Sequence, residues 1–125
     1  MGDFDSKLLI DELLKYDEPL KTNGKYHNNI DYNKSIYLIN RVPFLDGGTF
    51  LFKEDKGLQS PISVTFYEKM DSLELVEEYI AKNEKSIQCV VSPKVRSGVA
   101  FGAAQQPKVH DYADKVDTMA FLLAL

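Results

Sequence analysis

The groups with which this sequence could do chemistry are few: one thiol at Cys89, two imidazoles at His27 and His110, a carboxylate at Glu54, and the uncharged run GVAFGAAQQP at residues 98–107. A lone cysteine invites a nucleophile reading, but a reactive thiol needs a base, a cation or a helix N-terminus to lower its pKa. Cys89 stands between Ile87 and Val91 in an alternating run, so packing in the core of a strand is the expected role, and nothing local activates it. The histidines are far apart, and neither belongs to a His-x-x-x-His or Cys-x-x-Cys spacing that would build a zinc site. His110 has Asp111, Asp114 and Asp117 for neighbours, which allows a carboxylate–imidazole pair, although an acidic cap before the last helix is the better account. For residues 98–107, a phosphate cradle is disfavoured, since anion loops need several N–H groups converging ahead of a helix. A loop lining a binding channel and a plain turn between packed elements both stay open.

The elements that must position these groups can be read from hydrophobic period. Residues 3–16 repeat apolar positions at helical spacing with Asp5 as N-cap, and Pro19 with Asn23-Gly24 is expected to end any helix there. A second helix runs through Ile30, Lys34, Tyr37 and Leu38 to about Asn40. Asp46-Gly47-Gly48 predicts a hairpin or tight loop whose second arm, Phe50 to Phe52, is a strand. Ile62, Val64 and Phe66 then alternate as a strand. Asp71 with Glu74 starts a helix buried through Leu73, Val76 and Ile80, with Glu74, Glu77, Glu78 and Lys82 facing water. Ile87, Cys89 and Val91 alternate again, so the two alternating runs are expected to be parallel strands joined by a right-handed βαβ crossover. DTMAFLLAL closes the chain as an apolar helix. The fold class expected is α/β, in a single domain over residues 1–125.

Composition bounds the rest. The chain has 125 residues, 44% of them hydrophobic, with a net charge of -4, enough for one core without disulfides. Its fifteen basic residues are scattered among nineteen acidic ones, which argues against nucleic acid, and no apolar run approaches a membrane span of about 20 residues. A single cysteine and an acidic, amphipathic start without a signal-peptide pattern point to a reducing, cytoplasmic setting.

Four runs taken together carry a resemblance: YNKSIYLINRVPFLDGG, FLFKEDKGLQSPISVTFYE, SIQCVVS, and FGAAQQP followed by DYADKVDTMAFLL. In this order they resemble the C-terminal part of the acyl-CoA reductase family, which includes the fatty-acid reductases of bacterial light production, within the aldehyde dehydrogenase superfamily. The likeness spans nearly all of the chain after about Tyr26.

The resemblance implies part of an aldehyde-dehydrogenase-like catalytic lobe. It also implies a reaction in which a cysteine thiolate attacks an acyl thioester and hydride from NADPH releases a fatty aldehyde. The family's nucleophile is expected upstream of residue 1, and no G-x-G-x-x-G run marks a dinucleotide-binding domain, so the chain alone is expected to be inactive and to bind no NADPH. KED at 53–55 is similar to the stretch where a glutamate meets the nicotinamide ribose, which makes Glu54 the cofactor-binding candidate, with Ser60-Pro61 in place of Gly-Pro. VAFGAAQQP is similar to a Pro-Phe-Gly-Gly segment beside the substrate channel, with Ala100 in place of the proline. It makes Phe101 and Gly102 the substrate-lining candidates. Lys115 stands where the family pattern favours glycine, and His110 where it often has an aromatic. Partners implied are the acyl thioester and the remainder of the reductase. The alternative is a stand-alone binding or interaction module derived from that lobe, with a closed core, as a monomer or as a homodimer across a sheet edge. A large uncovered apolar surface would distinguish the first reading from the second.

Overall fold

The computed structural model describes residues 5–109, 111–112 and 116–125. Among them the protein is mixed α and β, with five α-helices and one three-stranded sheet, in two compact units that divide between Lys69 and Met70. No helix of the described residues is long and apolar enough to cross a membrane.

In the first unit α1 covers Ser6–Leu13, with Asp5 as N-cap accepting from the Lys7 N–H at 2.9 Å. A 3₁₀ turn at Leu14–Tyr16 leads into α2, Asp17–Lys21. Pro19 does not end this helix as expected: it occupies the first turn, where an N–H would have no partner within the helix. Likewise Asn23-Gly24 begins a helix. The Asn23 carboxamide oxygen accepts from the Tyr26 N–H at 3.1 Å, capping α3, Gly24–Ile39.

The end of α3 is a Schellman turn. Arg41 N–H donates to the Leu38 carbonyl at 3.2 Å and Val42 N–H to the Tyr37 carbonyl at 2.8 Å, with Arg41 left-handed at φ 54°. Val42 then packs back on the core cluster that contains Tyr37.

Next come β1, Leu45–Asp46, and β2, Leu51–Glu54, antiparallel with Leu45 opposite Phe52. The third strand, β3, Val64–Tyr67, pairs parallel with β2 in the register Leu51–Val64 to Glu54–Tyr67. One face of the sheet is covered by α3 through Ile30 and Tyr37, and these join Leu51 and Val64 in the core with Phe44 and Phe66 at its margin. Leu51 is fully buried. The α3 stripe is Ile30, Asn33 and Tyr37; Leu38 and Ile39 are exposed, contrary to the period read from the sequence. Buried Asn33 is satisfied because its side-chain N–H₂ donates to the Ile62 carbonyl at 3.0 Å. Ser63 is left-handed at φ 68°, which breaks the alternation just before β3 and leaves Ile62 about half exposed.

In the second unit α4 covers Leu73–Lys82. Its cap is Ser72, one residue later than expected, with Oγ accepting from the Leu75 N–H at 3.3 Å. A 3₁₀ turn follows at Glu84–Ser86, and α5 covers Thr118–Leu123, capped by Asp117 accepting from Ala120 N–H at 2.8 Å.

The βαβ unit expected from the two alternating runs is not formed. Residues 87–90 form no strand, and Val91 makes only an isolated parallel bridge to Val99. Among the described residues the two strands that pair in parallel are instead β2 and β3. The expected closing role of α5 is not seen either, since Phe121, Leu122 and Leu123 are all mostly exposed.

Candidate functional site

The stretch 98–107 is two successive turns. Ala103 N–H donates to the Ala100 carbonyl at 3.1 Å, and Gln106 N–H to the Ala103 carbonyl at 3.0 Å. In the first turn Phe101 and Gly102 hold the central positions, and Gly102 has φ 80°, the left-handed value that the third residue of a type II turn requires. The ring of Phe101 is therefore carried at a turn corner and is 77% exposed. Gly102 has open space where a Cβ would stand, so the glycine is needed for its φ rather than for room.

Gly98 has the opposite reason. A Cβ there would lie 2.2 Å from the Ser92 carbonyl oxygen. That close approach lets the loop 91–99 close on itself, through Val99 N–H to the Val90 carbonyl at 2.8 Å and Ser92 N–H to the Val99 carbonyl at 3.0 Å. Glu77, expected to face only water, pins the same loop by accepting from the Arg96 N–H at 3.3 Å. Between α4 and this loop lies a groove of about 500 Å³. Ile80, Ala81, Ile87, Val90 and Val95 supply its apolar lining, and Glu77, Glu84, Gln88, Arg96 and Ser97 its polar one. Val95 is the one apolar side chain buried below a tenth exposure among the described residues of this unit. No hydrophobic period marks Val95, because its burial comes from loop closure around Gly98.

Cys89 is exposed, which corrects the expectation of a core thiol. Alternation buries a side chain only when a second strand or helix covers that face, and no strand forms here. His27 lies on the exposed side of α3 with Nε2 3.6 Å from the Asp31 carboxylate, one turn along. Among the described residues no group of His, Cys, Asp and Glu could hold a metal ion. His110 and its Asp114 neighbour lie outside the described residues, as does Lys115.

Glu54 ends β2 in the first unit, opposite Tyr67, with its side chain exposed. Its neighbours are bound to one another. Lys53 is paired with Asp55 and lies over the Phe66 ring at 5.1 Å and the Tyr37 ring at 5.8 Å. The Lys53 ammonium, followed by the Gly57 N–H, holds the Asp55 carboxyl below its ordinary value. The strand read from the sequence as Phe50 to Phe52 runs on to Glu54, and no sequence pattern marks the lysine cage, which needs β3 and α3 beside β2.

No protein-family model, no curated protein and no solved structure matches the chain.

Proposed function

We propose that this chain is the C-terminal section of the catalytic lobe of an NADPH-dependent acyl-thioester reductase that forms fatty aldehyde, and that it turns nothing over alone. The reading rests on the four runs of resemblance, and the observation that carries it is the apolar surface left uncovered. Phe101, Met119, Phe121, Leu122, Leu123 and Leu125 are each more than half exposed in the second unit, and Leu125 is 90% exposed. Among the described residues few large hydrophobic side chains are buried below a tenth exposure, in a chain that is 44% hydrophobic, which supports a surface meant to be covered by more protein.

In this reading Phe101, held out by its type II turn, walls the acyl channel, and Gly102 fixes the turn. Glu54 is the carboxylate offered to the ribose of the hydride donor. The longest helix among the described residues, α3, commits an N–H of its first turn to Asn23, and glycines 98 and 102 serve turns. In this reading the nucleophile and the nucleotide domain belong to the remainder of the reductase, and no step of hydride transfer is assigned to these residues.

The test is NADPH oxidation by the native polypeptide supplied with acyl-CoA of graded length. Phe101→Ala is expected to raise KM for long acyl chains about tenfold, the loss of part of one aromatic contact, and to leave short ones unchanged. Glu54→Gln is expected to weaken NADPH binding, and unchanged affinity and turnover would remove Glu54 from the site. A native polypeptide that oxidises no NADPH with any acyl thioester would overturn the reading.

A further inference from the structure

The two units bury very different amounts of apolar side chain. In the first, Ile30, Tyr37, Phe50, Leu51, Phe52 and Val64 are each less than a tenth exposed, together with the polar Asn33 and Thr49. In the second, Val95 alone reaches that burial among the described residues. The α4 stripe of Leu73, Val76, Tyr79 and Ile80 is half-buried, and a helix of ten residues is marginal in water without packing, so α4 draws its order from that half-covered stripe. Among its described residues the second unit has no strand, and its β pairing is the isolated Val91–Val99 bridge. Hydrogen bonding is not what separates the units. Leu51 N–H donates to the Ser63 carbonyl at 2.8 Å and Val99 N–H to the Val90 carbonyl at 2.8 Å, yet Leu51 is fully buried and Val99 is 36% exposed.

From this contrast we infer that the second unit is an opening segment: over Leu73–Val99 it unfolds and recloses as one piece while α3 and the sheet of the first unit stay folded. Stability is a small difference between burial and chain entropy, and the entropy cost falls on every ordered residue. A stretch that orders its backbone while burying so little sits nearest the balance point, and it opens first. Its closed form depends on Val95 in the loop 91–99, on the Val90–Val99–Ser92 hydrogen bonds, and on the Glu77 carboxylate that accepts from the Arg96 N–H. These are released together, because Glu77 ties α4 to the loop and both line the groove through Ile80 and Val95. The boundary of the opening falls at Lys69–Met70, after β3. Any molecule that binds only the closed form shifts this equilibrium, which makes the segment a switch between ordered and open states. The inference is independent of the reductase reading, since it uses only the burial and hydrogen bonds within each unit.

The experiment is hydrogen exchange of the full 125-residue chain, labelled with ¹⁵N and read amide by amide as urea is raised within the folded range. Protection of the Leu51 N–H is expected to exceed that of the Asn83, Ser92 and Val99 N–H groups by more than about tenfold, although all four are hydrogen-bonded. The last three are expected to share one opening, at urea concentrations where Leu51 stays protected. Val95→Ala is expected to lower protection at Ser92 and Val99 and to leave Leu51 within about twofold. If that substitution opens the second unit altogether, continued protection at Leu51 supports the same conclusion. Protection at Leu51 that exceeds Val99 by less than about tenfold would overturn the proposal, and so would an equal loss at both sites in Val95→Ala, since either result means that the chain opens as a single cooperative unit. Separate openings at Asn83 and Val99 would overturn it as well, by showing that α4 and the loop are not one piece.

Discussion

At the scale of single residues, the first unit depends on side chains that the sequence marks unequally. Leu51 lies on the strand foreseen after the Asp46-Gly47-Gly48 loop and is wholly buried. Leu51→Ala is expected to lower unfolding stability by about 2–5 kcal/mol in urea titrations, the range for emptying a core leucine site. Asn33 was invisible to a hydrophobic pattern, because a buried amide has no period of its own and earns its place only through the distant Ile62 carbonyl. Asn33→Ala is expected to destabilise by about 1–3 kcal/mol by leaving that carbonyl unpaired, and a change near zero would mean that water replaces the amide. Arg41 sits where glycine is preferred. Arg41→Gly is expected to raise stability by about 0.5–1 kcal/mol, with the Schellman hydrogen bonds intact, and a loss of stability would show that the arginine side chain outweighs its left-handed backbone.

Among the elements, the caps of α1 and α4 were legible to within a residue, while the Asn23 cap of α3 and the strand pairing were not. Asp5 caps α1 as its sequence suggests, and Ser72 takes the place expected of Asp71. The helix over Asp17–Lys21 was missed because a proline in a first turn reads, without its context, as a breaker. Strand alternation gave both β3 and the run 87–91, yet only β3 found a partner; alternation reports two unlike faces and says nothing of who pairs with the edge. The α2 helix also carries a pH dependence. Asp17 is held below its ordinary value first by the Lys21 ammonium and then by the neighbouring Thr49 hydroxyl, although Asp17 Oδ1 and Thr49 Oγ1 each lack a hydrogen bond of good geometry, so Lys21 is the cause that counts. A carboxyl depressed in the folded state stabilises fully above its unfolded value, near pH 4, and that contribution is lost as pH falls through the lower folded value. Asp46 adds to the same limb: burial pushes it up, and Lys34 with the Gly48 N–H more than offset this. Asp17→Asn is therefore expected to lower thermal stability near neutrality, where the contribution is fully present, and to make the acid limb of the profile shallower below about pH 4, where the two proteins converge. An identical acid limb would remove the Asp17–Lys21 pair from the account.

For the whole molecule, composition promised a single closed core, and the burial found is concentrated in the first unit, on Ile30, Tyr37, Leu51 and Val64. The second unit contributes Val95 and leaves the apolar C-terminal residues in water. The uncovered surface could not be read from the sequence, because DTMAFLLAL is equally apolar whether it closes a core or awaits a partner. The proposed role as a lobe of a larger reductase stands on that surface together with the four resembling runs. The most direct test is the intact mass of the native protein isolated from its source cells by antibodies against this chain. The reductase reading predicts a polypeptide well above 14.2 kDa, or a tightly held partner, that brings a dinucleotide-binding domain and a cysteine nucleophile. A lone 14.2 kDa monomer, with nothing bound to its apolar face, would contradict it.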